Sequence, residues 1–235
     1  MQDCAILFDK SEIDEYAIET SNTESINDTL KILNNRFTTN VLQKKVVYDY
    51  QLFPNFLNNY ICDFIINESE KYAYNNISLK SPTGWTTRRH NSYPTTDLPV
   101  KEISSINVLI QNIISIDIFS LIEKTYNVNK YFLSCLDAFI VKYDANAQKN
   151  LEKHRDGSAF SFNILLNHEN NFIGGGTTIY KDTGAVNILN KKGGLLLHCG
   201  QVFHSGTEIT QGQRYILVGF VGYLKNYYNV IKCDK

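Results

Sequence analysis

The sequence predicts an α+β fold that is mainly β. Two stretches before residue 130 carry apolar residues at helical spacing, and period-two alternation dominates after it. Turn residues, many of them glycines, separate the resulting short strands. Two helices followed by seven or eight strands suggest helices packed on one face of an antiparallel sandwich or open barrel.

Taken in order, residues 1–43 are polar, rich in Ser, Thr, Asn and Glu, and read as an N-terminal extension to a domain spanning 44–235. Residues 46–53 (VVYDYQLF) predict a strand that Pro54 ends. Phe56, Leu57, Tyr60, Ile61, Phe64 and Ile65 set a helix over about 56–73. Ile103, Ile106, Leu109, Ile110, Ile113 and Ile114 set a second over about 101–126. The stretch 78–100 between them is irregular, punctuated by Pro82, Gly84, Pro94 and Pro99. Strands are expected at 132–143, 151–156, 159–166, 177–180, 185–189, 195–199 and 213–221. The run Gly174-Gly175-Gly176 is a turn or a close backbone approach and not a phosphate cradle, because no helix starts after it.

A chain of 235 residues with 43% hydrophobic content can bury one sizeable core. Its net charge of -1 and pI near 6.5 leave no global electrostatic footprint for nucleic acid or a membrane surface. Five scattered cysteines, odd in number and with no CxxC pair, point to reduced thiols and away from a disulfide framework or zinc knuckle. The first residues lack a basic segment followed by a long apolar one, and no apolar run approaches the ~18 residues a membrane span needs. An intracellular location, cytoplasmic or nuclear, is the expectation.

The chemistry gathers in the strand-rich half. In His154-Arg155-Asp156 a nitrogen ligand and a carboxylate stand two positions apart, which on a strand puts both on one face with Arg155 turned away. His204, in a Phe-His-Ser-Gly context, is the natural third ligand. Two histidines and a carboxylate leave positions open on iron(II), although zinc accepts similar donors and the triad alone does not choose the metal. Arg214 chooses it. One of five arginines in the chain, it opens an apolar strand ten residues after His204, and a buried charge there needs an anionic partner. A 2-oxo dicarboxylate fits: it chelates the metal at one end and pairs with Arg214 at the other, which is 2-oxoglutarate. His168 and His198 read as packing or surface residues.

The chain resembles the iron(II)/2-oxoglutarate-dependent dioxygenases of the prolyl and lysyl hydroxylase superfamily, and looks most like the catalytic domain of procollagen lysyl hydroxylases. The residues that carry the resemblance are 93–98 (YPTTDL), 138–143 (AFIVKY), 151–167 (LEKHRDGSAFSFNILLN), 172–177 (FIGGGT), 192–198 (KGGLLLH) and 204–221 (HSGTEITQGQRYILVGFV). The resemblance implies a double-stranded β-helix, or jelly roll, with N-terminal supporting helices. It maps the iron ligands onto His154, Asp156 and His204 and the co-substrate carboxylate onto Arg214. Tyr143 matches a co-substrate tyrosine, and Asn163 and Thr177 are further candidates to bind 2-oxoglutarate. Oxygen is the second co-substrate and ascorbate the expected reductant. The family implies hydroxylation of a lysine or proline side chain in a protein or peptide, with a free amino acid or nucleobase as the alternative substrate. A non-catalytic metal-binding jelly-roll module is the other reading. Nucleic-acid demethylases of the superfamily carry a further arginine downstream of the one matching Arg214, and this chain has none.

Substrate choice should lie in the segments outside the core strands: 78–100, 144–150 and 168–173. Trp85 and Tyr93, with Arg88, Arg89 and His90 between them, suit a lid over the site. The alternative is that Trp85 plugs the core and the arginines are solvated.

Overall fold

The computed structural model describes residues 50–77, 81–87, 89–90 and 92–224. The expected extension at 1–43 and the start of the first strand lie outside these residues. Within them the order is β1 (Tyr50–Phe53), α1 (Asn59–Asn75), β2 (Asp97–Pro99), then a continuous helical run Ser104–Tyr126. Nine strands follow: β3 (Leu133–Asp144), β4 (Leu151–His154), β5 (Phe160–Leu165), β6 (Phe172–Gly174), β7 (Thr177–Lys181), β8 (Gly184–Ile188), β9 (Leu195–Cys199), β10 (His204–Gly206) and β11 (Ile209–Tyr223).

α1 starts where Asn58 caps it, its side chain accepting from the Tyr60 N–H, which is three residues later than apolar spacing alone suggests. The second helical run is α2 (Ser104–Asn112), a wider π-helical segment (Ile113–Ile118) and α3 (Phe119–Tyr126), which Asn127 ends in the left-handed conformation. Contrary to the sequence expectation, this run is long and apolar enough to cross a membrane by length and composition. In this fold its isoleucine side (Ile106, Ile110, Ile114, Ile118, Ile122) is fully buried in the core instead.

The strands form two antiparallel sheets. The larger runs β1-β9-β5-β11-β3-β2, with β6 also on β11, and the smaller runs β4-β10-β7-β8. Helical side chains pack on one face of the larger sheet, against Leu133, Ala138, Ile140, Phe160, Ile164, Leu195, Leu197 and Leu217. Its other face turns Phe139, Val141, Tyr143, Leu165 and Ile216 toward the smaller sheet in a second cluster. This is the expected mainly-β jelly roll with supporting helices. Three short strands, β2, β6 and β10, were not expected, and the stretch 151–156 is strand only to His154. In β3 the register against β11 shifts beside Leu136, so Ala138 and Ile140 face the helices while Asp137 and Phe139 share the cavity side.

Candidate active site

Cross-strand register assembles the site. On the smaller sheet His204 of β10 pairs directly with His154 of β4, so both rings leave the same face, 4.3 Å apart. Asp156 lies past the end of β4. Its position comes from its backbone N–H, which donates to the Gly200 carbonyl at 2.9 Å, and not from the pleat. Its carboxylate stands 3.4 Å from His154 Nε2 and 3.6 Å from His204 Nε2. Ligand atoms from all three lie within 4.8 Å of one another, and all three residues are buried. Arg155, between them, turns outward onto the Phe203 ring.

Hydrogen bonds fix which nitrogen of each ring faces inward. His154 Nδ1 donates to the Glu152 carbonyl at 2.7 Å and His204 Nδ1 to the Val202 carbonyl at 3.0 Å. Each Nδ1 therefore holds the proton, and each Nε2 lone pair points at the cluster. Burial pushes His204 down to about 3, with His198 adding to the effect, so its ring is neutral near pH 7. Burial works against ionising Asp156, but His154 beside it, helped by His204, His198 and Ser161, outweighs it and holds the carboxyl down at about 2. Burial also opposes the charged form of His154, and its bond to Asp156 outweighs that and raises it. A neutral imidazole beside a carboxylate suits a divalent cation.

The cluster opens into a cavity of about 450 Å³ between the sheets. Phe139, Val141, Ile216, Val218 and Phe220 of the larger sheet make its apolar wall, and Tyr143, Asn163, Thr177 and His198 add polar groups. Asn163 donates to the Thr177 hydroxyl at 3.4 Å. Gly206 is glycine for a visible reason: a Cβ there would stand 2.5 Å from the Tyr143 hydroxyl. Arg214 starts the β11 row that continues through Ile216, Val218 and Phe220, and pairs with Tyr143 across the sheet. Its guanidinium lies 5.3 Å from the Tyr143 ring and does not itself line the cavity. Nε and Nη1 are buried with no partner, and burial depresses its pKa.

Similarity to known proteins agrees with this geometry. No protein-family model matches the chain. Over 177 residues, 74% of its length, it is 30% identical to procollagen-lysine,2-oxoglutarate 5-dioxygenase 1 of Rattus norvegicus. Over 185 residues it is 28% identical to the multifunctional procollagen lysine hydroxylase and glycosyltransferase of the same species. These matches cover 24% and 23% of those proteins, so the chain spans about a quarter of the length of the curated relatives it matches. The fold is shared with the viral collagen prolyl hydroxylase of Paramecium Bursaria Chlorella virus-1, solved with 2OG, at a TM-score of 0.53 and 16% identity, covering 74% of this chain and 96% of that one. It is shared too with the alpha ketoglutarate dependent epimerase SnoN of nogalamycin biosynthesis, at a TM-score of 0.55 and 12% identity, covering 84% and 82%. The chain belongs to the 2-oxoglutarate/iron(II) oxygenase superfamily.

In this oxygenase the donor set fits the family's metal, with two imidazoles and one carboxylate on one side of the ion position. The orphaned Arg214 nitrogens fit an anion. The structure decides between alternatives the sequence leaves open. His198 is not a surface residue but is packed inside, 1% exposed, where it lines the cavity and stands 4.6 Å from the His204 ring. Register places it there, since His198 pairs with Ser161 of β5, which also lines the cavity; the apolar run of β9 shows no alternation that would reveal it. Trp85 is 3% exposed and packs in the helix-side core, so it is no lid. The arginine beside it is not simply solvated either, for Arg89 bonds Asp97 at 2.6 Å and Asp137 at 2.9 Å. Of that segment Tyr93 does reach the site, its ring 4.8 Å from His154. Arg88 lies outside the described residues. His168 is on the surface, as expected, its side chain 56% exposed.

Proposed function

We propose that this oxygenase hydroxylates a lysine or proline side chain of a protein or peptide, converting 2-oxoglutarate and oxygen to succinate and carbon dioxide. One oxygen atom ends in succinate and the other in the new hydroxyl. The observation that carries the reading is a buried His-Asp-His donor set in the same fold as a buried arginine whose nitrogens lack a partner. The printed names of the relatives, procollagen lysine hydroxylases and a collagen prolyl hydroxylase, support a peptide substrate.

Iron(II) held by His154, Asp156 and His204 supplies oxygen activation and the oxidative decarboxylation of the co-substrate. The chain's own residues bind and orient. Arg214 takes the distal carboxylate of 2-oxoglutarate in a charge-assisted pair, which neutralises its buried charge. The Tyr143 hydroxyl adds a donor beside it, and Asn163 and Thr177 add hydrogen bonds along the co-substrate. Phe139, Val218 and Phe220 keep water from the reacting centre. Ascorbate serves as the reductant that keeps the metal in its working state.

The test is succinate release by purified protein supplied with iron(II), ascorbate, oxygen and 2-oxoglutarate, with and without lysine- and proline-containing peptides. The expected outcome is iron-dependent succinate, raised by a subset of the peptides, which gain one oxygen atom. Replacing His154 by Ala should abolish it. Absence of 2-oxoglutarate binding in metal-loaded protein overturns the reading.

A further inference from the structure

The solvent face of the smaller sheet carries cations stacked on aromatic rings, and this row ends at the cavity rim. Because His204 pairs with His154 on one side and Ile179 on the other, the flanking residues Arg155, Phe203 and Tyr180 turn outward together. The Arg155 guanidinium lies 3.8 Å from the Phe203 ring centre. Lys153 Nζ lies 4.4 Å from the Tyr180 ring and 5.0 Å from Phe203. Such stacking orients both cations and lowers the entropy they lose when a ligand arrives.

Both cations are exposed, and neither has a carboxylate within ion-pair distance among the described residues. The other arginine of the cavity wall differs, since Arg89 is taken by Asp97 and Asp137. Arg155 is part of the cavity wall and sits in sequence between two metal ligands, while its guanidinium stacks outward on Phe203, so its unpaired charge lies on the outer side of the rim beside the site.

We propose that Lys153 and Arg155 form a subsite for an acidic side chain of the substrate, close in sequence to the residue that is oxidised. This rests on the peptide reading above. An acidic peptide is favoured over nucleic acid because backbone readout of a duplex gathers about six to ten phosphate contacts, whereas this rim offers two cations on a chain of net charge -1.

The test is anisotropy titration of the full chain with short labelled peptides, each a central lysine or proline flanked by Glu, Gln or Lys. The Glu-flanked peptides should bind on the order of tenfold tighter than the Gln-flanked ones at low salt, and the preference should shrink as salt rises. In Lys153→Gln/Arg155→Gln it should vanish, and in Lys153→Glu/Arg155→Glu it should reverse toward the Lys-flanked peptides, with circular dichroism confirming that both variants fold. Equal binding of all flanks by the wild type, or a preference that survives in the variants, overturns the subsite. If peptides are hydroxylated whatever their flanks, the subsite fails and the proposed function stands. If no peptide binds or gains oxygen, the peptide reading fails and takes the subsite with it. Stronger competition by a single-stranded oligonucleotide than by the Glu-flanked peptide also overturns it, in favour of a nucleic-acid surface.

Discussion

A guanidinium that is 3% exposed with two nitrogens unpartnered costs the ligand-free protein stability, because a buried charge without a partner loses its hydration and gains nothing. Replacing Arg214 by Met should therefore raise the melting temperature of the ligand-free chain. The same change should abolish the stabilisation that metal and saturating 2-oxoglutarate give the wild type, about 2.7 kcal/mol at a ligand concentration of 100 Kd. Thermal melts of both proteins with and without the ligands decide it, and a retained ligand-induced shift in Arg214→Met would remove that residue from the co-substrate site. At this scale the sequence is most informative where chemistry restricts residue type. HxD, a distant histidine and a lone arginine before an apolar strand suffice to bring His154, Asp156 and His204 together on the page. Asp156 lies past the end of β4, so the pleat does not place it; its position depends on a backbone bond to Gly200 that no local pattern encodes.

Among the elements, the segment before β2 is fastened by charge. Arg89 bonds Asp97 and Asp137 at once, and the Asp97 side chain is fully buried. Burial raises the Asp97 carboxyl despite Thr95 and Arg89, so its charged form is held at a cost. Removing the partner should leave that cost exposed: Arg89→Ala is expected to lose about 2–3 kcal/mol, allowing for the partial exposure of Arg89. Urea unfolding at pH 7 measures it, and adding Asp97→Asn should restore part of the loss. A change under about 0.5 kcal/mol would mean the pair does not hold the segment. No spacing announces this cluster, since Asp137 lies 48 residues from Arg89. The strands were readable in proportion to their length. β3, β5 and β11 alternate long enough to show a period and β9 shows as a continuous apolar run, whereas β2, β6 and β10 are three residues each and exist through the partners they pair with.

For the whole molecule, β11 is the spine. Its 15 residues pair with β3 over Gln213–Tyr223, with β5 over Ile216–Val221 and with β6 near its start. Opening it requires breaking both neighbours in the larger sheet, so its central amides should exchange with solvent at the global unfolding free energy. The amides of β8, on the edge of the smaller sheet and largely exposed, should exchange far sooner. Hydrogen-exchange mass spectrometry reads both, and equal rates for the two strands would refute this division. The fold class follows from helices preceding strands. The split of those strands into two sheets does not, because it depends on contacts between residues far apart in sequence.

The direct pairing of His204 with His154 ties chemistry to the accuracy of folding. Side chains alternate along a strand, so a slip of β10 by one residue would turn one imidazole out to solvent and bring Phe203 or Ser205 in. Such a molecule would keep its secondary structure and most of its core while losing the ability to hold an ion. Metal occupancy in this protein is therefore a proofreader: it counts the chains whose three-residue strand has found its proper partners, and passes over those that are merely compact.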